Sequence, residues 1–128
     1  MCTRPNGLTT DYQLLTTFPN KKQMTNIFDI SGKNAVVTGG AGVLGGSIAR
    51  HLVEQGCNVV VLGRHAENVN EKVEELKKIG KGQVMGVVSD VLNVEKLKET
   101  RDIVEKEWGG VDILVNCAGG NVPGATIP

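Results

Sequence analysis

Residues 34–46, Asn-Ala-Val-Val-Thr-Gly-Gly-Ala-Gly-Val-Leu-Gly-Gly, run from a short apolar stretch through a glycine cluster into a segment of helical period, Leu44 to Gln55. A strand that turns through glycines into a helix exposes backbone N–H groups at the positive end of the helix dipole, and such an end binds phosphate. Gly40-x-Gly42-x-x-Gly45 has the spacing and the context of the dinucleotide fingerprint. In this reading Gly40 permits the tight turn, Gly42 lets a pyrophosphate approach the backbone, and Gly45 lets the helix pack close to the strand. Gly39, Ala41, Val43 and Leu44 complete the expected pyrophosphate loop. A glycine-rich turn with no ligand would use the same residues. The mononucleotide phosphate loop is excluded, because Gly46 stands where that motif requires Lys.

Further candidates lie at the ends of later apolar runs. In the NAD-binding version of such a unit, an acid about 20 residues after the glycines accepts the ribose hydroxyls. Here Val61-Leu62-Gly63-Arg64-His65 puts Gly63 in the acid's place, with Arg64 next. A small residue leaves room for a 2′-phosphate, and a guanidinium can hold it with two hydrogen bonds, which favours NADP over NAD. The alternative for Arg64 is a solvated side chain stacked on the adenine, and His65 reads as a surface residue at a helix N-terminus. Asp90, in Ser89-Asp90-Val91, could orient the adenine amino group or cap the next helix, and Val91 would line the same pocket. The small, glycine-bearing loop Asn116-Cys117-Ala118-Gly119-Gly120, after the run Val111–Val115, would let a ribose lie against the backbone, with Asn116, Ala118 and Gly119 flanking it, or would form an ordinary turn.

The elements that position these residues alternate regularly. Strands are expected at Ala35–Thr38, Asn58–Leu62, Gln83–Ser89 and Val111–Asn116. Helices are expected at Leu44–Gln55, Ala66–Ile79 and Val94–Trp108. The expected inward stripes are Leu44, Ile48 and Leu52 in the first helix, then Val69, Val73 and Leu76 in the second. In the third they are Val94, Leu97, Arg101, Val104 and Trp108, with the Arg101 stem along the apolar side. Glu74 and Lys78 are spaced to pair on the outer face of the second helix. Gly56 is expected to end the first helix. Continuous β-branched runs between amphipathic helices imply an α/β fold with a parallel sheet covered on both faces. Right-handed crossovers and a switch beside the first strand give the order 3-2-1-4, the first half of a doubly wound fold plus one strand.

The chain has 128 residues with 14 basic and 14 acidic side chains, a balance that supports neither a nucleic-acid nor an anionic-membrane partner. No apolar run approaches the roughly 18–20 residues needed to span a bilayer. Cys2, Cys57 and Cys117 cannot all pair and match no zinc spacing, which points to a reducing, cytoplasmic compartment. Cys57 is expected to be buried as a small apolar residue. Residues 1–26 are read as a disordered extension, and Met24 as a candidate translation start. Residues 27–128 are read as an incomplete dinucleotide-binding domain.

Thr38-Gly39 with Gly45, Asp90-Val91, the Asn116…Ala118-Gly119 segment, and the opening Phe28-Asp29-Ile30-Ser31-Gly32-Lys33 together resemble the short-chain dehydrogenase/reductase family over about Met24 to Pro128. The resemblance implies a Rossmann-type sheet and NAD(P)-dependent interconversion of a secondary alcohol and a ketone in a small-molecule substrate. It also implies a homo-oligomeric full-length parent. The family's Thr-Gly-x-x-x-Gly-x-Gly pattern has Val43 at its middle glycine here, with Gly42 one place earlier, and Cys117 replaces the second Asn of its Asn-Asn-Ala-Gly segment. The loop residues and Ala-Gly-Gly-Asn resemble a subset described as D-mannonate oxidoreductases or fructuronate reductases, in which Asn121 and Pro123 would lie toward the substrate. The family's proton donor is a Tyr in Tyr-x-x-x-Lys. The one tyrosine here is Tyr12 and residue 16 is Thr, so no catalytic residue is expected in this chain, which reads as an amino-terminal fragment. A non-catalytic nucleotide-binding module is the alternative.

Overall fold

The computed structural model describes residues 26–120. The expected N-terminal extension up to residue 25, Asn121 and Pro123 lie outside the described residues. Within them, β1 (Asn34–Thr38), α1 (Val43–Glu54), β2 (Asn58–Gly63), α2 (Ala66–Lys77), β3 (Val84–Val88), α3 (Val94–Trp108) and β4 (Ile113–Asn116) follow one another. The strands form one sheet in the order β3-β2-β1-β4. All pairs are parallel, with Val36 abreast of both Val60 and Leu114. This is the expected half of a doubly wound fold.

Side chains alternate across the pleat, so each central strand feeds two cores. Ala35, Val37, Val59 and Val61 face α1 and α2, where Ala49, Val53, Val69, Val73 and Leu76 close the larger core. Val36 and Val60 face α3 and meet Val104, with Met85, Val87 and Trp108 around them. Burial on both faces explains why Val59-Val60-Val61 is apolar without alternation.

The stripe expected for α2 is buried, but two other helices differ from expectation. In α1 the inward face is Gly45, Gly46, Ala49 and Val53, whereas Leu44 is 68% exposed. The helix approaches through its small residues, and Leu44 lies in the first turn, off that seam. In α3 Thr100 and Val104 are buried, while Arg101 is exposed and paired with Asp102. Thr100 can face inward because its hydroxyl donates to Lys96 O at 2.8 Å. Glu74 meets Lys77 rather than Lys78, at 3.4 Å on the surface, where such a pair contributes little. Gly56, with φ +86°, follows α1 in the left-handed conformation, as expected of a C′ residue.

β4 begins at Ile113, two residues later than expected, because the preceding turn is bound to the start of β1. Asn34 Nδ2 donates to Trp108 O and Gly110 O, both at 3.0 Å. Asn34 N donates to Asp112 Oδ2 at 2.9 Å, and Asn58 Nδ2 donates to Asn34 Oδ1 at 2.8 Å. One side chain thus ties the entry of β4 to β1 and β2, at the end of the sheet opposite the glycine turn. Asn34→Leu strands two carbonyls and should cost about 2–4 kcal/mol, read as a lower urea midpoint at unchanged m-value. A loss under about 0.5 kcal/mol would show that water replaces the amide without penalty.

Candidate functional site

The carboxyl ends of β1, β2, β3 and β4 open onto one cleft of about 660 Å³. Its centre is the turn from β1 into α1. Gly39 has φ +66°, and a Cβ there would stand 2.9 Å from Ala118 N and 3.0 Å from Cys117 O. The turn glycine is therefore Gly39, not Gly40. Gly40 is needed for space instead, since its Cβ would meet Val37 O at 2.9 Å and Val61 Cγ1 at 3.2 Å. A Cβ on Gly45 would overlap the Gly39 carbonyl oxygen, so α1 can begin this close to the turn only with glycine there.

Gly42 behaves differently. It is the N-cap of α1 in extended conformation, and a Cβ on it would meet only Gly39 O, at 3.3 Å. Its N–H donates to Gly39 O at 3.0 Å, and its own carbonyl accepts the Gly46 N–H at 2.8 Å. No side chain caps α1 and no acid occupies its first turn. Its first N–H groups are thus left for an anion from the cleft.

Thr38 joins this turn to β4. Its Oγ1 accepts from Cys117 N at 3.1 Å and Ala118 N at 3.2 Å, and donates to Val115 O at 3.5 Å. The hydroxyl fixes the spacing between the two loops that would flank a ligand. Its position just before the turn glycine was the sequence signal for this role.

Of the expected site residues, Gly39, Ala41 and Gly42 line the cleft on the α1 side, and Gly63 and Arg64 line it at the end of β2. Asp90 and Val91 line it at the end of β3, and Ala118 and Gly119 after β4. Gly40 and Gly45 are buried in the turn beneath, Val43 and Leu44 project into solvent, and Asn116 is exposed at the end of β4 without lining the cleft. Sequence reasoning missed Leu62, Asn68, Ser89 and Leu92 and did not place His65 there, whereas Cys117 and Gly120 line the cleft with the rest of the loop after β4. Asn68 sits in the first turn of α2, and a search one helical turn past each strand end would have found it.

The two alternatives for Asp90 are resolved in part. Asn93 caps α3, its Oδ1 accepting the Lys96 N–H at 3.0 Å. Asp90 Oδ1 instead accepts the Leu92 N–H at 3.0 Å, which shapes the loop before the cap. Arg64 is exposed and forms no ion pair among the described residues. Ser89 is 4% exposed, and its Oγ has no hydrogen-bond partner among the described residues.

These features fit a dinucleotide: an uncapped helix N-terminus at a glycine whose Cβ would meet only Gly39 O, and a free guanidinium 22 positions further on. Among the described residues no cluster of three or more His, Cys, Asp or Glu could hold a metal ion. Cys57 is buried as expected, its Sγ donating to Ile30 O at 3.1 Å, and burial pushes the thiol up, aided by the charges of Asp112 and Asp29. No helix of the described residues is long and apolar enough to cross a membrane.

Fold and cleft define a half-sheet of the doubly wound, dinucleotide-binding kind. Residues 33–127 match the family model for short chain dehydrogenase. The chain is 40% identical over 97 residues to an uncharacterized oxidoreductase, UxuB, of Bacillus subtilis (strain 168), covering 76% of this chain and 34% of that protein. Among solved structures it is similar to L-sorbose reductase from Gluconobacter frateurii, complexed with NADPH and L-sorbose, with a TM-score of 0.69 and 33% identity over 76% of this chain and 38% of that one. It is also similar to 2-keto-3-deoxy-D-gluconate dehydrogenase from Streptococcus agalactiae, with a TM-score of 0.70 and 30% identity over 80% of this chain and 38% of that one. The chain belongs to the short-chain dehydrogenase family and spans about a third of the length of these relatives.

Proposed function

We propose that this chain is the cofactor-binding part, residues 27–128, of an NADP(H)-dependent oxidoreductase that interconverts a secondary alcohol and a ketone on a sugar or sugar acid. The observation that carries the cofactor choice is Arg64, unpaired at the mouth of the cleft beside Gly63, where an acid would select the unphosphorylated ribose. The Gly39–Gly45 turn would hold the pyrophosphate, Asp90 and Val91 the adenine, and Ala118 and Gly119 the ribose side. NADPH and L-sorbose in a similar reductase support both halves of the reading. The similar 2-keto-3-deoxy-D-gluconate dehydrogenase is consistent with a sugar-acid substrate. The whole protein is proposed to be a cytoplasmic homo-oligomer.

Cofactor choice is tested by fluorescence titration of Arg64→Ala. Loss of a charged hydrogen bond should weaken NADPH by roughly 10- to 100-fold, with NADH changed by less than about threefold. Equal losses for the two would mean that Arg64 does not read the 2′-phosphate.

A further inference from the structure

We propose that Lys72 is a second cation for the 2′-phosphate, acting through its field rather than by contact, an inference that rests on the cofactor reading above. Lys72 lies two turns into α2, and its side chain crosses to α1. A Cβ on Gly46, the fourth residue of α1, would stand 3.1 Å from Lys72 Cε and 3.2 Å from Nζ. The absence of a side chain at Gly46 therefore admits the ammonium beside the first turn of α1, and the Lys72 side chain is only 21% exposed there. The positive end of a helix disfavours a cation. A charge placed against that preference marks a site where function overrides local stability, and an anion arriving nearby removes the conflict.

Lys72 lines a cavity of about 260 Å³ with Ala41, Asn68, Glu71 and Glu75. Ala41 and Asn68 also line the cleft, so the two hollows share a wall. The Ala41 methyl would be 3.7 Å from a Cβ on Gly63, the place where an acid would select the unphosphorylated ribose. The wall between the Gly63–Arg64 step and Lys72 is thus the Ala41 methyl, with Asn68 beside it. Two carboxylates in the cavity oppose the lysine. Glu71 is exposed, and Glu75, 48% exposed, accepts from Lys72 Nζ at 2.8 Å. That hydrogen bond holds the Glu75 carboxyl below the usual carboxylate range, with the charges of Lys72, Arg50 and Lys78 adding to it. Water screens both acids more than it screens the ammonium between the helices, so the lysine's field reaches the cleft with less loss.

Lys72→Met keeps an unbranched stem over Gly46 and removes the charge. Its NADPH affinity should fall about fivefold, with NADH changed by less than about 1.5-fold and the melting temperature near wild type. The loss should shrink as salt is raised. Glu75→Gln should move the other way, raising NADPH affinity about twofold, because it removes an opposing charge. In the double variant the NADPH-specific loss relative to Glu75→Gln should persist, which assigns it to the ammonium rather than to an unpaired Glu75. Equal losses for NADPH and NADH with a lower melting temperature overturn the proposal, because the lysine then serves only the packing of α2 on α1. So does a fall in NADPH affinity in Glu75→Gln, or a loss that vanishes in the double variant. Wild-type protein that binds neither nucleotide, or binds both equally, overturns the cofactor reading and this proposal together. A wild-type preference for NADPH that survives unchanged in Lys72→Met overturns this proposal alone.

Discussion

Gly42→Val is expected to leave the fold standing and to lower NADPH affinity by about a hundredfold or more, the loss of at least two charge-assisted hydrogen bonds. Two observations separate the effects. Gly42 has φ −80° and ψ 179°, which any residue adopts, and its added Cβ would meet protein only at Gly39 O, 3.3 Å away. The valine therefore projects mainly into the cleft, over the uncapped first turn of α1, where a pyrophosphate must come within hydrogen-bond distance of the backbone. Thermal unfolding and an NADPH titration of the same sample check both halves. A melting temperature near wild type with unchanged affinity would remove the phosphate from this turn. A large fall in melting temperature would mean that the turn cannot tolerate the side chain at all.

Gly45→Ala is expected to do the reverse, destabilising the free protein by roughly 3 kcal/mol, the upper end for forcing an extra carbon into a packed site. Its Cβ would overlap the Gly39 carbonyl oxygen and crowd the Gly40 Cα at 3.1 Å. Both neighbours are backbone, held between β1 and the Thr38 clamp on Cys117 and Ala118. α1 can relieve the overlap only by moving off the sheet, which opens the contacts of Ala49 and Val53 in the larger core. Urea unfolding gives the cost directly. A loss below about 0.5 kcal/mol would show that the helix start is not held where the close approach requires it.

The contrast between these two glycines marks the limit of what could be read from the sequence. Spacing alone located the turn, because strand, glycines and helix are local, and it assigned Gly42 to the ligand and Gly45 to close packing. It misassigned the turn residue. Gly39 needs its conformation partly because Cys117 and Ala118, 78 and 79 positions away, press against it. The parallel sheet was legible because runs such as Val59-Val60-Val61 require cover on both faces, and its order because right-handed crossovers leave few alternatives. The α1 stripe was not, because a search for large apolar residues selects Leu44 and passes over Gly45 and Ala49, whose smallness sets the helix–sheet distance. Arg101 failed for a similar reason: period alone cannot tell that a threonine bonded to its own helix will take the inward place.

The most direct test is amide chemical-shift mapping of the 15N-labelled chain titrated with NADP⁺. Large shifts should appear at Gly39–Gly45, Arg64, Ser89–Val91 and Ala118–Gly119, all at the carboxyl ends of the strands. Asn34, Asn58 and Trp108, at the opposite end of the sheet, should stay unperturbed. Saturable shifts clustered at that opposite end, or none at millimolar NADP⁺, would contradict a dinucleotide site at the glycine turn.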